Sequence, residues 1–431
     1  MLRRVICRRR LHQRYVSPSG TSPLDGSDPV RPGIRIAPQI TTPSEHALRP
    51  QIPAWLHALR SSSGQSWLRA VLVVVALYGF LVGVALIEGG IAALGAGFEQ
   101  ELLDSVTNPL GGLAAGVLAT VLVQSSSVST ATIVALVGAG TVPVDLAVPM
   151  IMGANIGTTI TNTLASLASL RRPDEFRGAF AAATMHDFFN LLAVVILLPL
   201  ELLTGLISRT AVWLTGLLRT TEVGVAPPPS PVKVALGWVA DPVESFVLEG
   251  LPAFLGGPIM LVLGLGLILT GLVAVTRNMR ELVADSVERA MNRLVGRGGG
   301  LVGIGLGLLV TVAVQSSSIT TAILVPLVAA GVLTINNAYP MTLGANIGTT
   351  LTAVLASLAV VRPEGLTIAL VHTLFNVIAI LLLYPVPAVR VLPIRAARTL
   401  AALALRRRSL AAAYVLGVFI VLPLAGVLLL H

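Results

Sequence analysis

The chain has 431 residues, 55% of them hydrophobic and 11% charged, with a mean hydropathy of +0.87. A soluble domain carries roughly 25% charged residues, so this chain cannot cover itself with a polar surface and its solvent must be lipid. The net charge of +9 comes from 28 Arg and one Lys. These cations sit in a tail and in short loops, which fits topology-setting charge beside membrane spans rather than a nucleic-acid face. The single cysteine, Cys7, excludes an intramolecular disulfide and a thiolate metal site, and no Cys/His cluster has zinc-binding spacing.

Residues 1–66 are polar and rich in Arg, Ser and Pro, with no apolar segment of the kind a secretory signal needs. They read as a disordered basic tail on the cytoplasmic side; the late first acid, Asp25, leaves a transit peptide as the alternative. Apolar runs of the ~20 residues that cross a bilayer follow at Ala70–Gly97, Ala179–Ser208, Gly257–Thr276, Leu366–Val389 and Leu410–Leu430. Ala147–Leu170 and Ala338–Val361 are more polar spans. The domain reading is a first transmembrane repeat region over 67–208 and an extracytoplasmic linker loop over 209–250, broken by Pro227-Pro228-Pro229. A second repeat region covers 251–390, and a basic loop with a final transmembrane helix covers 391–431.

The core contains an internal repeat. Gly112–Ala168 aligns without a gap on Gly303–Ala359, 191 residues on. Gln124-Ser125-Ser126-Ser127 recurs as Gln315-Ser316-Ser317-Ser318, and Gly153-Ala154-Asn155-Ile156-Gly157-Thr158-Thr159 recurs as Gly344-Ala345-Asn346-Ile347-Gly348-Thr349-Thr350. After a five-residue contraction, His186-x-x-Phe189-Asn190 recurs as His372-x-x-Phe375-Asn376. Gene duplication accounts for this; chance does not.

The polar segments Pro109–Gly140 and 301–333 read as re-entrant helical hairpins, each with Gln and three Ser at its centre. With the Arg-rich tail inside, the first dips in from outside, beyond Glu99, Glu101 and Asp104. Three full crossings then separate it from the second, which dips in from inside. An odd number of crossings inverts the second repeat. The basic loops at Arg171–Arg177, Arg277–Arg297 and Arg390–Arg408 all fall inside on this layout. The predicted fold is therefore an all-α polytopic membrane protein with an inverted repeat, two re-entrant hairpins and broken transmembrane helices, the architecture of alternating-access transporters.

Unpaired polar groups in hydrocarbon cost roughly several kcal/mol each. Helix–helix hydrogen bonding explains one such motif; two matched copies point to a binding site. A hairpin tip frees backbone N–H groups for an anion, and its carbonyl, Ser, Thr and Gln oxygens suit a hard cation such as sodium. Neither Gln-Ser-Ser-Ser unit contains Lys or Arg, so a bound anion needs dipoles, hydroxyls and a co-bound cation to offset its charge. His186 and Asp187 are ionisable groups inside a span and so functional candidates; they serve equally as a pair that hydrogen-bonds a neighbouring hairpin. The duplicate carries His372 but has Thr373 opposite Asp187.

These motifs, with Asp174-Glu175-Phe176-Arg177 and His186-Asp187-Phe188-Phe189-Asn190, resemble the type II sodium-phosphate cotransporter family over about residues 70–390. The resemblance implies that phosphate and sodium bind at Gln124, Ser125, Ser126, Ser127, Asn155, Thr158 and Thr159. In the second copy it implies Gln315, Ser316, Ser317, Ser318, Asn346, Thr349 and Thr350. His186, Asn190, His372 and Asn376 support them. Electrogenic members carry Ala-x-Ala and a downstream Asp that add a sodium site; Ala181-Ala182-Ala183 and Asp187 are similar to that pattern. The implied partners are inorganic phosphate, sodium ions and the lipid bilayer, with no nucleic acid. Sodium is the coupling ion, there is no organic cofactor, and the location is a cell inner (plasma) membrane with a cytoplasmic N-terminus. The chain departs from animal members in having no cysteine between its repeats and no cytoplasmic regulatory domain after the last span.

Three other readings compete. Transport of another small anion, sulfate or a carboxylate, preserves the architecture, as does proton coupling through Asp187 or His186. An intramembrane serine hydrolase needs a serine paired with His186 or His372; the sequence has no Gly-x-Ser-x-Gly elbow, and duplication of a whole nucleophile site is unexpected.

Overall fold

The computed structural model describes residues 62–94, 108–218, 231–294 and 300–430, and among them every regular element is helical. The tail up to residue 61, the acidic stretch Glu99–Asp104 and Pro227-Pro228-Pro229 lie outside the described residues. Six helical segments are long and apolar enough to cross a bilayer: Gln65–Leu94, Val144–Leu167, Pro173–Thr204, Phe254–Val283, Pro363–Leu383 and Ser409–Leu429. Each overlaps a run read from the sequence. The seventh expected span forms the helix Ile335–Ser357, long enough to cross but made more polar by its asparagines and threonines.

In chain order, α1 is Ser62–Leu94, followed by a helix pair, α2 (Pro109–Val123) and α3 (Ser126–Ala139). Then come α4 (Val144–Gly157), α5 (Ile160–Leu167), α6 (Pro173–Thr204), α7 (Leu206–Leu218), α8 (Pro231–Gly250) and α9 (Ala253–Leu294). The second helix pair is α10 (Gly300–Val314) and α11 (Ser317–Ala329). It precedes α12 (Ile335–Ser357), α13 (Pro363–Leu383) and α14 (Pro387–Arg406). The chain closes with α15 (Ser409–Leu416), a π-helical turn at Gly417–Val421 and α16 (Leu422–Leu429). The paired helices have 13 to 15 residues, about 20–23 Å at 1.5 Å per residue. None of the four spans the ~30 Å hydrocarbon core alone.

Glycine sets the packing within each repeat. A Cβ on Gly116 would lie 2.0 Å from the Met150 carbonyl oxygen, and one on Gly153 2.0 Å from that of Leu113, so α2 and α4 touch backbone to backbone. At the duplicated positions, Gly307 meets the Met341 oxygen and Gly344 the Ile304 oxygen, each at 1.9 Å, joining α10 to α12. Small residues let helices approach this closely in lipid. Helices α1 and α9 run antiparallel, with Gly83 against Gly264 and Gly90 against Gly257; an Arg69–Glu281 ion pair joins them.

Between the repeats the packing is reciprocal. Helix α3 of the first lies on α13 of the second, and α11 of the second lies on α6 of the first. Likewise α7 packs on α13 and α14 on α6. Such an exchange, in which each half gives the other the surface it receives, characterises a two-fold relation.

Four boundaries differ from the sequence reading. The basic stretch from Arg277, read as an inside loop, continues helix α9 to Leu294. The stretch 209–250, read as a loop, holds most of α7 and all of α8. Helix α7 buries Ile207, Ala211 and Thr215 at helical spacing, and the Glu201 carboxylate caps its start by accepting from the Ile207 and Ser208 amides at 2.6 and 3.1 Å. Helix α8 buries Leu236, Ala240 and Val247, and Tyr78 Oη donates to its Ala235 carbonyl at 2.6 Å. The basic stretch after Arg390, read as a loop, is helix α14, whose arginines overlie a face of Pro393, Ile394, Ala397, Ala401 and Ala404. Helix α1 starts at Ser62, inside the segment read as tail.

Gly153→Ala and Gly344→Ala each force backbone apart and should cost about 1–3 kcal/mol, read as a lower thermal midpoint in detergent. Gly266→Ala, with open space around the new methyl, should leave the midpoint unchanged.

Candidate functional site

Each helix pair turns through two residues. Gln124 and Gln315 end α2 and α10 in the left-handed region, both at φ 56°, and no other non-glycine residue among those described has positive φ. A non-glycine residue there costs roughly 1–2 kcal/mol, and the side chain supplies the compensation. Gln124 Nε2 donates to the Val121 carbonyl and Gln315 Nε2 to the Val312 carbonyl, both at 2.7 Å. These are carbonyls of the last turn, which lose their helical partners where the helix stops. The amide oxygens face the following helices: Thr161 Oγ1 donates to Gln124 Oε1 at 3.1 Å, and Thr352 Oγ1 to Gln315 Oε1 at 3.5 Å.

The next residue starts the return helix. Ser125 and Ser316 are extended N-caps whose Oγ atoms accept from the Val128 and Ile319 amides at 3.4 and 3.3 Å. The N–H groups of Ser126, Ser127, Ser317 and Ser318, in the first turns, have no acceptor within their own helices. The two tips meet in one cavity of about 680 Å³ lined by Gln124, Ser125, Ser127, Gln315 and Ser316. Its remaining wall is α9, which contributes Arg277, Arg280 and Glu281.

The other expected residues form two further groups. Asn155, Asn190, Asn346, Asn376, His186 and His372 make a buried polar seam between the repeats. His186 Nε2 lies 2.5 Å from Asn346 Oδ1, Asn346 Nδ2 donates to Asn190 Oδ1 at 2.9 Å, and Asn190 Nδ2 to the Asn155 carbonyl at 2.7 Å. Asn376 Nδ2 donates to Asn155 Oδ1 at 3.3 Å. The asparagine of each Gly-Ala-Asn motif is thus held by the asparagine that follows the histidine of the opposite repeat. The hydroxyls of Thr158, Thr159, Thr349 and Thr350 bond carbonyls of their own helices.

Asp187 anchors the second group. It is fully buried, and its Oδ2 accepts from Thr163 Oγ1 at 3.2 Å and Tyr414 Oη at 3.0 Å. Its Oδ1 has no partner among the described residues. Thr159 lies beside the same carboxylate. Beside it the first repeat passes through Thr158 and Thr159, which keep right-handed helical dihedrals, so α4 and α5 continue as one run, as the identical motif does within α12. No group of three or more His, Cys, Asp or Glu among the described residues could hold a metal ion; a sodium ion needs only neutral oxygens and a single carboxylate.

Sequence reasoning missed several participants. Thr161 and Thr352 occupy duplicated positions, so extending the repeat beyond its identical core would have found them. Asn162, which donates to Thr321 across the repeats, and Tyr414, from α15, carry no such signal.

A multi-pass helical protein with two polar helix breaks facing one internal cavity belongs to the class that carries solutes across membranes, not to the enzymes. More narrowly, the chain belongs to the Na+/Pi-cotransporter family, whose model matches residues 80–210 and 267–394. It is 33% identical to sodium-dependent phosphate transport protein 2A of Ovis aries, over 86% of this chain and 69% of that protein. It is also 33% identical to sodium-dependent phosphate transport protein 2B of Homo sapiens, over 83% and 64%. The chain thus spans about two thirds of the length of these relatives. No solved structure matches it.

Asn346→Ala strands the His186 ring nitrogen and the Asn190 carbonyl oxygen in a buried seam. A loss of about 1–3 kcal/mol is expected, measured as a lower thermal midpoint, and Asn155→Ala should cost less, because Asn376 Nδ2 keeps its bond to the His372 carbonyl.

Proposed function

We propose that this protein imports inorganic phosphate with sodium across the plasma (inner) membrane, by alternating access and with net movement of charge. The observation that carries this reading is the single cavity onto which both Gln-Ser tips open. Serine hydroxyls and first-turn amides line it, donors suited to phosphate oxygens. The tips contain no cation of their own, so co-bound sodium offsets the phosphate charge and couples the two fluxes. Arg277 and Arg280, farther along the wall, raise the local anion concentration on the path to the tips.

Placement of the hairpin ends supports the re-entrant arrangement. A Cβ on Gly112 would lie 3.3 Å from the Leu146 oxygen, and one on Gly303 2.9 Å from Pro340. The first arm of each hairpin therefore starts level with the start of the helix that follows the second arm, as entry and return on one side require. With the basic loops and N-terminus in the cytoplasm, the side of the cavity bearing Arg277 and Arg280 faces inward. Asp187, with one free carboxylate oxygen and the hydroxyls of Thr159 and Thr163 beside it, is the sodium site that makes transport electrogenic. His186 is directed at Asn346, away from any role as base for a tip serine.

The test is uptake of radiolabelled phosphate into liposomes under an inward sodium gradient, against choline, at clamped potential. Sodium-dependent uptake that grows with inside-negative potential is expected. Asp187→Gly should abolish the voltage dependence, and Gln124→Ala or Gln315→Ala should lower uptake, because the left-handed turn loses the side-chain bond that closes its helix. Uptake driven by a pH gradient alone would replace sodium with protons. Competition by sulfate or a carboxylate, without phosphate uptake, would replace the substrate.

A further inference from the structure

A second cavity, of about 650 Å³, lies where α10, α12 and α14 begin. Gly300, the first residue of α10, lines it; so do Asn336 and Asn337 in the first turn of α12 and Pro387 and Ala388 in the first turn of α14. Three helix N-termini thus converge on one volume, and each brings the positive end of its dipole. None of the three carries an acidic residue in its first turn. Two guanidinium groups, Arg390 and Arg395, complete the wall, and among the described residues no carboxylate lines it.

The walls are built, not incidental. The Arg390 guanidinium carbon lies 5.3 Å from the Tyr384 ring centroid, a stacking geometry that fixes its direction. The Tyr384 hydroxyl occupies the space a Cβ on Gly300 would take, 1.9 Å from that position. Tyr339 also lines the cavity; it is 1% exposed, and its hydroxyl has no hydrogen-bond partner among the described residues. A buried hydroxyl without a partner costs free energy unless a ligand or water completes it.

Duplication separates a ligand role from a packing role. The first repeat builds the same helix start with Asp145, Leu146 and Val148 where the second has Asn336, Asn337 and Tyr339. The fold is satisfied by an acid and two apolar residues, so the donors of the second copy are not required by packing.

We propose that this cavity binds a phosphate-bearing group, either the headgroup phosphate of a membrane lipid or free phosphate, through Arg390, Arg395 and the Tyr339 hydroxyl. The site is separate from the Gln-Ser tips and does not rest on the transport reading. It is tested on the purified full chain in two arms. Native mass spectrometry in mild detergent, with added phosphatidylglycerol, reads retained lipid. Calorimetric titration of inorganic phosphate into delipidated protein in sodium-free choline buffer reads free phosphate. In one arm, wild type should bind and Arg390→Gln/Arg395→Gln should bind at least about tenfold more weakly, since two charge-assisted contacts are gone. The arm that responds identifies the source. Tyr339→Phe removes one oxygen while keeping the ring, and should weaken the same arm by about threefold; it decides the matter if the arginine variant does not fold. Binding in neither arm, or equal binding by wild type and both variants, overturns the proposal.

Discussion

A helix that stops and turns back inside a packed bundle leaves carbonyls and amides without helical partners, and the two Gln-Ser tips are built around that difficulty. At each tip the glutamine closes the ending helix by bonding a carbonyl of its own last turn, and the next serine opens the return helix by capping its amides. A Gln-Ser step therefore reverses the chain without a glycine. The first-turn amides remain available to the cavity. Close glycine contacts then hold each hairpin against the helix whose threonine steadies its glutamine.

The two repeats share this frame and differ in charge. Asp187 has Thr373 as its counterpart. Thr159 and Thr163 both reach the carboxylate. Tyr414, from outside both repeats, supplies a further hydroxyl. An identical seven-residue motif is thus set beside a carboxylate in one repeat only. On the proposed reading, the shared frame serves a ligand common to both tips and the asymmetric carboxylate serves a cation bound once.

Much of this was legible in the sequence because duplication leaves a signal that spacing alone does not. The paired Gln-Ser-Ser-Ser motifs mark the two chain reversals in the sequence itself, and the paired Gly-Ala-Asn-Ile-Gly-Thr-Thr motifs read there as ligands. Their division of labour was not legible: the asparagines look like ligands in a motif, yet they bond one another across the repeats. No periodicity links residue 187 to residue 414, so Tyr414 could not be found. Helices α8 and α14 read as loops in the sequence because their charges and prolines mask narrow apolar faces, and α7 is too short to read as a span; tertiary contacts with α1, α6 and α13 stabilise them.

The reciprocal packing of the repeats also governs how the protein can be made. Helix α6 leaves the ribosome with Asn190 and His186 already in the membrane, while Asn346, which satisfies both, is still untranslated. The early half must therefore wait in the bilayer with its seam hydrated or shielded by the insertion machinery. It closes only when the late half arrives. Each half alone lacks the partners that the other supplies to its seam.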